Sequence, residues 1–127
     1  VMPVRRALGV RTIFNLLGPL TNPGLVERQV IGVWGAEVQR LMATALAELG
    51  ARKGLVVHSD DGLDELSVVA PTTVIEVQDG EVVREWRADP GELGVDASDP
   101  ETLKGGDAAE NLVRMRAILG GEDICGC

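Results

Sequence analysis

Apolar and polar positions along this chain change period from block to block, and each block predicts an element. Gln29-Val30-Ile31-Gly32-Val33-Trp34 is β-branched and apolar, which predicts a buried strand. From Glu37 to Leu49 the spacing becomes helical and sets Leu41, Ala45, Leu46 and Leu49 on one face, with Gly50 at the stop. Gly54-Leu55-Val56-Val57-His58 is a second short apolar strand. Strand, helix and strand within about 30 residues form a βαβ unit, with parallel pairing and a right-handed crossover. Strands from Thr73 to Gln78 and from Glu81 to Arg87 flank Asp79-Gly80, a strong two-residue hairpin signal. At the far end, Ala108 to Leu119 is a helix with Asp107 as its cap and Glu110 as the reciprocal partner in a capping box.

The connecting segments read differently. Pro3 to Leu8 predicts a short helix stopped by Gly9, and Gly18 to Gly24 a rigid loop fixed by Pro19 and Pro23. Ala88 to Pro100 is loop-like. The expected fold class is α/β: a βαβ unit, an antiparallel hairpin and flanking helices in one modest domain over residues 1–122, with 123–127 as a tail.

Charge and composition narrow the partners. The 127 residues carry a formal net charge of -8, which argues against non-specific nucleic-acid binding. An acidic chain holds a polyanion only through local cationic groups, backbone N–H donors or metal ions. Two Trp, one Phe and no Tyr give no platform for stacked bases. No apolar run approaches the roughly 20 residues that span a bilayer, and no signal peptide is visible, so a soluble cytoplasmic protein is expected. Cys125 and Cys127 cannot by themselves supply the four ligands of a structural zinc site, and the expectation is a reduced tail.

Three places could carry chemistry. Asp60-Asp61-Gly62-Leu63-Asp64-Glu65 follows the second strand, and open α/β sheets bind ligands beyond the carboxyl ends of their strands. Adjacent carboxylates such as Asp64 and Glu65 suit hydrated Mg²⁺, although spacing alone favours a solvated acidic turn. Arg5 offers a fork for a planar carboxylate, or is a surface arginine. Gly18 and Pro19 allow close backbone approach in a stiff segment, or simply make a turn. His58 is the single histidine and has no convincing nucleophile partner, so it is read as a packed or half-exposed residue. Gly105-Gly106-Asp107 lacks the Lys of a phosphate loop and is read as a helix cap.

Val4-Arg5-Arg6-Ala7-Leu8-Gly9-Val10-Arg11-Thr12-Ile13-Phe14-Asn15-Leu16-Leu17-Gly18-Pro19-Leu20-Thr21-Asn22-Pro23 is not the pattern of a generic surface segment. Together with Asp64-Glu65 and Gly105-Gly106-Asp107-Ala108-Ala109-Glu110-Asn111, it resembles the anthranilate phosphoribosyltransferases over residues 1–122. The resemblance implies part of the large α/β domain of the nucleoside phosphorylase/phosphoribosyltransferase type. It also implies a cytoplasmic, homodimeric glycosyltransferase of tryptophan biosynthesis, which transfers a phosphoribosyl group from phosphoribosyl pyrophosphate to anthranilate. By that pattern Asp64 and Glu65 bind Mg²⁺ with the donor pyrophosphate, Arg5 meets the anthranilate carboxylate, and Gly18 and Pro19 border its channel. The family's N-terminal helical domain, glycine-rich donor loop and Lys-His-Gly-Asn segment have no counterpart in this sequence. The isolated segment is therefore expected to be inactive. The alternative is a non-catalytic relative or a structural fragment; the retention of Arg5 with Asp64-Glu65 favours the enzyme.

Overall fold

The computed structural model describes residues 14–21, 24, 26–94 and 104–121. Its elements are α1 (Phe14–Leu20), β1 (Arg28–Gly32), α2 (Ala36–Glu48), β2 (Lys53–Ser59), β3 (Thr72–Gln78), β4 (Glu81–Ala88) and α3 (Ala108–Leu119). The expected helix over residues 3–8, Arg5 and the Cys125–Cys127 tail lie outside the described residues.

One four-stranded sheet runs in the order β1-β2-β3-β4. β1 and β2 are parallel, with Arg28 opposite Lys53 and Gly32 opposite Val57, and α2 forms the crossover. β2 and β3 are antiparallel, as are β3 and β4. The Asp79-Gly80 hairpin is present. Both residues take positive φ, 49° and 82°, as a type I′ turn requires. The fold class thus agrees with the expected α/β arrangement.

The core lies between α2 and one face of the sheet. Met42, Ala43 and Leu46 pack against Ile31, Val33, Val56, Ile75 and Val77. A smaller cluster of Val57, Val74 and Ala88 occupies the other face, with Leu55 and Trp86 at its edge. Period-2 alternation accounts for this split, since Val56 points to α2 and Val57 away from it.

Two expectations need correction. The buried stripe of α2 is Gln39, Met42, Ala43 and Leu46, whereas Leu41 and Leu49 are more than half exposed. A polar residue in the stripe hid the true face. Gln39 is buried because its amide donates to the carbonyls of Val56 and Thr73, both at 2.8 Å. Gln39→Ala is expected to cost about 1–3 kcal/mol, because both carbonyls lose a buried donor. Urea unfolding measures this, and an unchanged midpoint would contradict it.

The second correction concerns the loop expected from Gly18. α1 continues through Gly18 and Pro19 to Leu20. Proline's fixed φ suits a helix, but its missing N–H removes one i→i−4 hydrogen bond, a cost set against the packing of the helix's leucines. Leu16 and Leu20, four residues apart, both lean on the main core and hold the helix in place. Thr21 closes it, its N–H and hydroxyl donating to the Leu17 carbonyl at 2.9 and 2.8 Å.

α3 carries the expected capping box. Asp107 Oδ1 accepts from the N–H groups of Ala109 and Glu110, and Glu110 Oε2 accepts from the Asp107 N–H. Asn111 brackets Gly106, accepting from its N–H at 2.9 Å and donating to its carbonyl at 3.0 Å, so that N–H already has a partner. None of the helix's side chains is buried.

Candidate metal and substrate site

Residues 60–71 leave the carboxyl end of β2 and return into β3. Local hydrogen bonds shape the first half. The Gly62 N–H donates to the Ser59 carbonyl, and the Ser59 N–H to the Leu63 carbonyl, both at 3.0 Å. The Leu63 N–H donates to Asp61 Oδ1 at 3.1 Å, an Asx turn.

Ser67 pins the second half. It is 9% exposed. Its hydroxyl donates to Asp61 Oδ2 at 2.6 Å and accepts from the N–H groups of Val69 and Ala70 at 3.0 and 3.2 Å. Its own N–H donates to Thr72 Oγ1 at 3.1 Å. Burial pushes the Asp61 carboxyl up, but hydrogen bonds from Ser67, Ser59 and the Leu63 N–H outweigh it and hold the pKa below the ordinary carboxylate range. A depressed folded pKa stabilises the fold above the unfolded value, near 4, and that share is lost as pH falls through the folded value. Asp61→Asn should therefore shrink the loss of stability below about pH 4. Melting temperatures recorded from pH 7 to pH 2 test it; an unchanged acid limb would sink the idea.

The four acidic residues of this loop thus have different duties. Asp61 is bound up in the turn. Asp60 forms an ion pair with Arg87, which also reaches Thr73 Oγ1 at 3.3 Å. Asp64 and Glu65 are exposed, and no hydrogen bond or ion pair among the described residues engages their side chains. Among the described residues no third His, Cys, Asp or Glu joins them around a common metal position. This donor set is no cage for a tightly held ion. It fits Mg²⁺, which keeps several waters and takes one or two carboxylates together with phosphate oxygens.

The backbone of the pair is seated on β1. At Gly32 the Asp64 main chain lies so close that an added Cβ would stand 1.5 Å from the Asp64 carbonyl oxygen. His58 is half-buried on the neighbouring strand. Its Nδ1 lies 3.1 Å from the Val33 carbonyl, to which it donates. Gly32 and Ser67 were not singled out by sequence reasoning. A lone glycine inside an apolar strand run is the signal for Gly32, since it marks a bulge or a close backbone approach.

Gly18 and Pro19 stand elsewhere. Pro19 lines a cleft of about 350 Å³ with Leu20, Val26, Glu27 and Arg52, at the amino ends of β1 and β2. The structure therefore brings Asp64 and Glu65 together at one end of the strands and sets Pro19 at the other. An exposed Glu27–Arg52 ion pair of 3.0 Å borders that cleft.

Among the described residues, no helix is long and apolar enough to cross a membrane. Residues 1–125 match the model of the glycosyl transferase family, a/b domain. The chain is 52% identical over 124 residues to an anthranilate phosphoribosyltransferase of Methanopyrus kandleri, covering 96% of this chain and 37% of that protein. It is 46% identical over 121 residues to one from Chloroflexus aggregans, covering 95% and 36%. The anthranilate phosphoribosyltransferase structure from Thermus thermophilus superposes with a TM-score of 0.81 at 46% identity, covering 98% of this chain and 36% of that one. The Saccharomyces cerevisiae enzyme in complex with phosphoribosyl pyrophosphate and Mg superposes with a TM-score of 0.77 at 28% identity, covering 91% and 31%. The chain thus spans little more than a third of the length of the curated relatives it matches.

Proposed function

The chain belongs to the glycosyl transferase family, a/b domain, and from that membership we propose that the protein containing it transfers the phosphoribosyl group of phosphoribosyl pyrophosphate to anthranilate. A bond forms between the anthranilate nitrogen and ribose C1, the bond from C1 to the pyrophosphate oxygen breaks, and the nitrogen gives up a proton. The observation that carries this reading is the Asp64–Glu65 pair, exposed and without side-chain partners on the described residues of a loop whose other acids are engaged. The likeness to anthranilate phosphoribosyltransferases supports it, among them a structure with donor and Mg bound.

Asp64 and Glu65 would hold Mg²⁺, which when bound neutralises charge on the departing pyrophosphate. The two carboxylates, carried on a backbone seated against β1, would hold the ion and so help to position the leaving group. No protein nucleophile is needed, so rate enhancement rests on positioning and charge stabilisation. Arg5 is proposed to bind the anthranilate carboxylate with its guanidinium fork. Gly18 and Pro19 are proposed to border the channel for the aromatic acid; among the described residues an added Cβ at Gly18 would meet nothing within 4 Å. In the same reading the whole protein is a cytoplasmic homodimer that binds no nucleic acid, in keeping with the net charge of -8.

The test is to follow anthranilate fluorescence when the full-length protein containing this segment meets phosphoribosyl pyrophosphate and Mg²⁺. Steady loss of signal that EDTA stops is expected. A folded protein that leaves the signal unchanged would favour the non-catalytic reading.

A further inference from the structure

We propose that Gly32 is a positioning residue for the Asp64–Glu65 pair, forming with Ser67 a two-sided clamp that presets the metal-binding loop. The proposal rests on the reading of that pair as metal ligands. Gly32 is the last residue of β1, paired with Val57, and its φ is not in the left-handed region. Backbone conformation therefore does not require glycine there. Space does: an added Cβ would lie 1.5 Å from the Asp64 carbonyl oxygen, 2.5 Å from its carbon and 3.2 Å from Asp64 Cβ. The obstacle is main chain, so no rotamer change relieves it. Real Cβ atoms stay beyond 3.0 Å, so any side chain at position 32 must drive the Asp64 backbone outward by about 1.5 Å.

On the other side Ser67, two residues after Glu65, ties the loop to Asp61, Val69, Ala70 and Thr72. The loop is thus pressed onto β1 at Asp64 and tethered at Ser67, with Glu65 between. The two ligating side chains are held by nothing of their own among the described residues, so their placement comes from the backbone beneath them. A displacement of about 1 Å in a positioned group can cost about 10²-fold in rate, and loss of support around metal ligands costs roughly 10–100-fold in affinity.

Gly32→Ala, Ser67→Ala and Asp64→Asn are compared with the unaltered full-length protein by titrating Mn²⁺ and reading water-proton relaxation, with circular dichroism as the check on folding. Gly35→Ala is the control, because among the described residues a Cβ there meets nothing within 4 Å. Gly32→Ala is expected to raise the Mn²⁺ dissociation constant roughly 10–100-fold while Gly35→Ala leaves it unchanged. In the reaction it should raise the half-saturating Mg²⁺ concentration and leave the anthranilate KM unchanged. Unaltered Mn²⁺ affinity in folded Gly32→Ala overturns the proposal. If that variant does not fold, Ser67→Ala decides: it loosens the same loop without adding bulk, and unchanged Mn²⁺ binding there overturns the proposal equally. Unchanged binding in Asp64→Asn would instead overturn the metal-ligand reading on which the proposal rests.

Discussion

Asp64→Asn, made in the full-length protein, is expected to lower kcat/KM roughly 10²–10³-fold, the scale of removing one preorganised group that stabilises transition-state charge. The argument begins with charge. In the proposed reaction pyrophosphate would leave as a polyanion, and the net charge of -8 on this chain would oppose donor binding. A divalent cation reverses that locally, and its place is set by oxygen ligands. Asn keeps the size of Asp but removes the negative charge that, in the proposed function, would hold the ion. Excess Mg²⁺ should therefore restore part of the rate. Asp60→Asn is the matched control: it removes an exposed, solvent-screened ion pair with Arg87 and should leave the Mg²⁺ dependence as it was. Rates measured across a Mg²⁺ series for both variants give the answer. Equal Mg²⁺ curves for Asp64→Asn and the parent would remove the pair from the mechanism.

Leu46→Ala is expected to destabilise the fold by about 2–5 kcal/mol. Leu46 is 1% exposed and sits in the main core between α2 and the sheet. Its Cδ1 fills the space over Gly54, where a Cβ would be only 3.1 Å away. Ala there leaves a void, and rigid strands on the far side cannot collapse to fill it. A loss of this size is a large share of the ~5–15 kcal/mol that domains possess. Urea unfolding should show a lower midpoint with the slope nearly unchanged. Leu41→Ala, in the same helix but 61% exposed, should shift the midpoint far less. Similar losses for the two leucines would contradict the assignment of the buried face.

That pair of leucines marks the limit of pattern reading. Leu41, Ala45, Leu46 and Leu49 form a plausible apolar stripe, but the helix turns so that Gln39, Met42, Ala43 and Leu46 face the sheet. The stripe is decided by two carbonyls, of Val56 and Thr73, that the Gln39 amide satisfies. Those carbonyls belong to strands 17 and 34 residues away, so no local window contains them. Likewise the expected loop at Gly18 became the end of α1, because Leu16 and Leu20 find a core to lean on.

Local physics was legible throughout. Asp79-Gly80 makes its turn because two consecutive positive-φ positions suit those residues. Asp107 and Glu110 cap α3 within four residues of each other. The βαβ unit follows from strand, helix and strand in close succession, since parallel strands need such a crossover. The acidic loop after β2 could also be found, because strand ends and carboxylates are both visible in the letters. Which acids were available could not. Asp60 is taken by Arg87 and Asp61 by Ser67, leaving Asp64 and Glu65 outward. The seat at Gly32, far from Asp64 along the chain, exists only once β1 and β2 lie side by side. Turns, caps and the succession of helices and strands depend on neighbours along the chain, whereas burial, pairing and close approach depend on neighbours in space, and those exist only when the sheet has assembled.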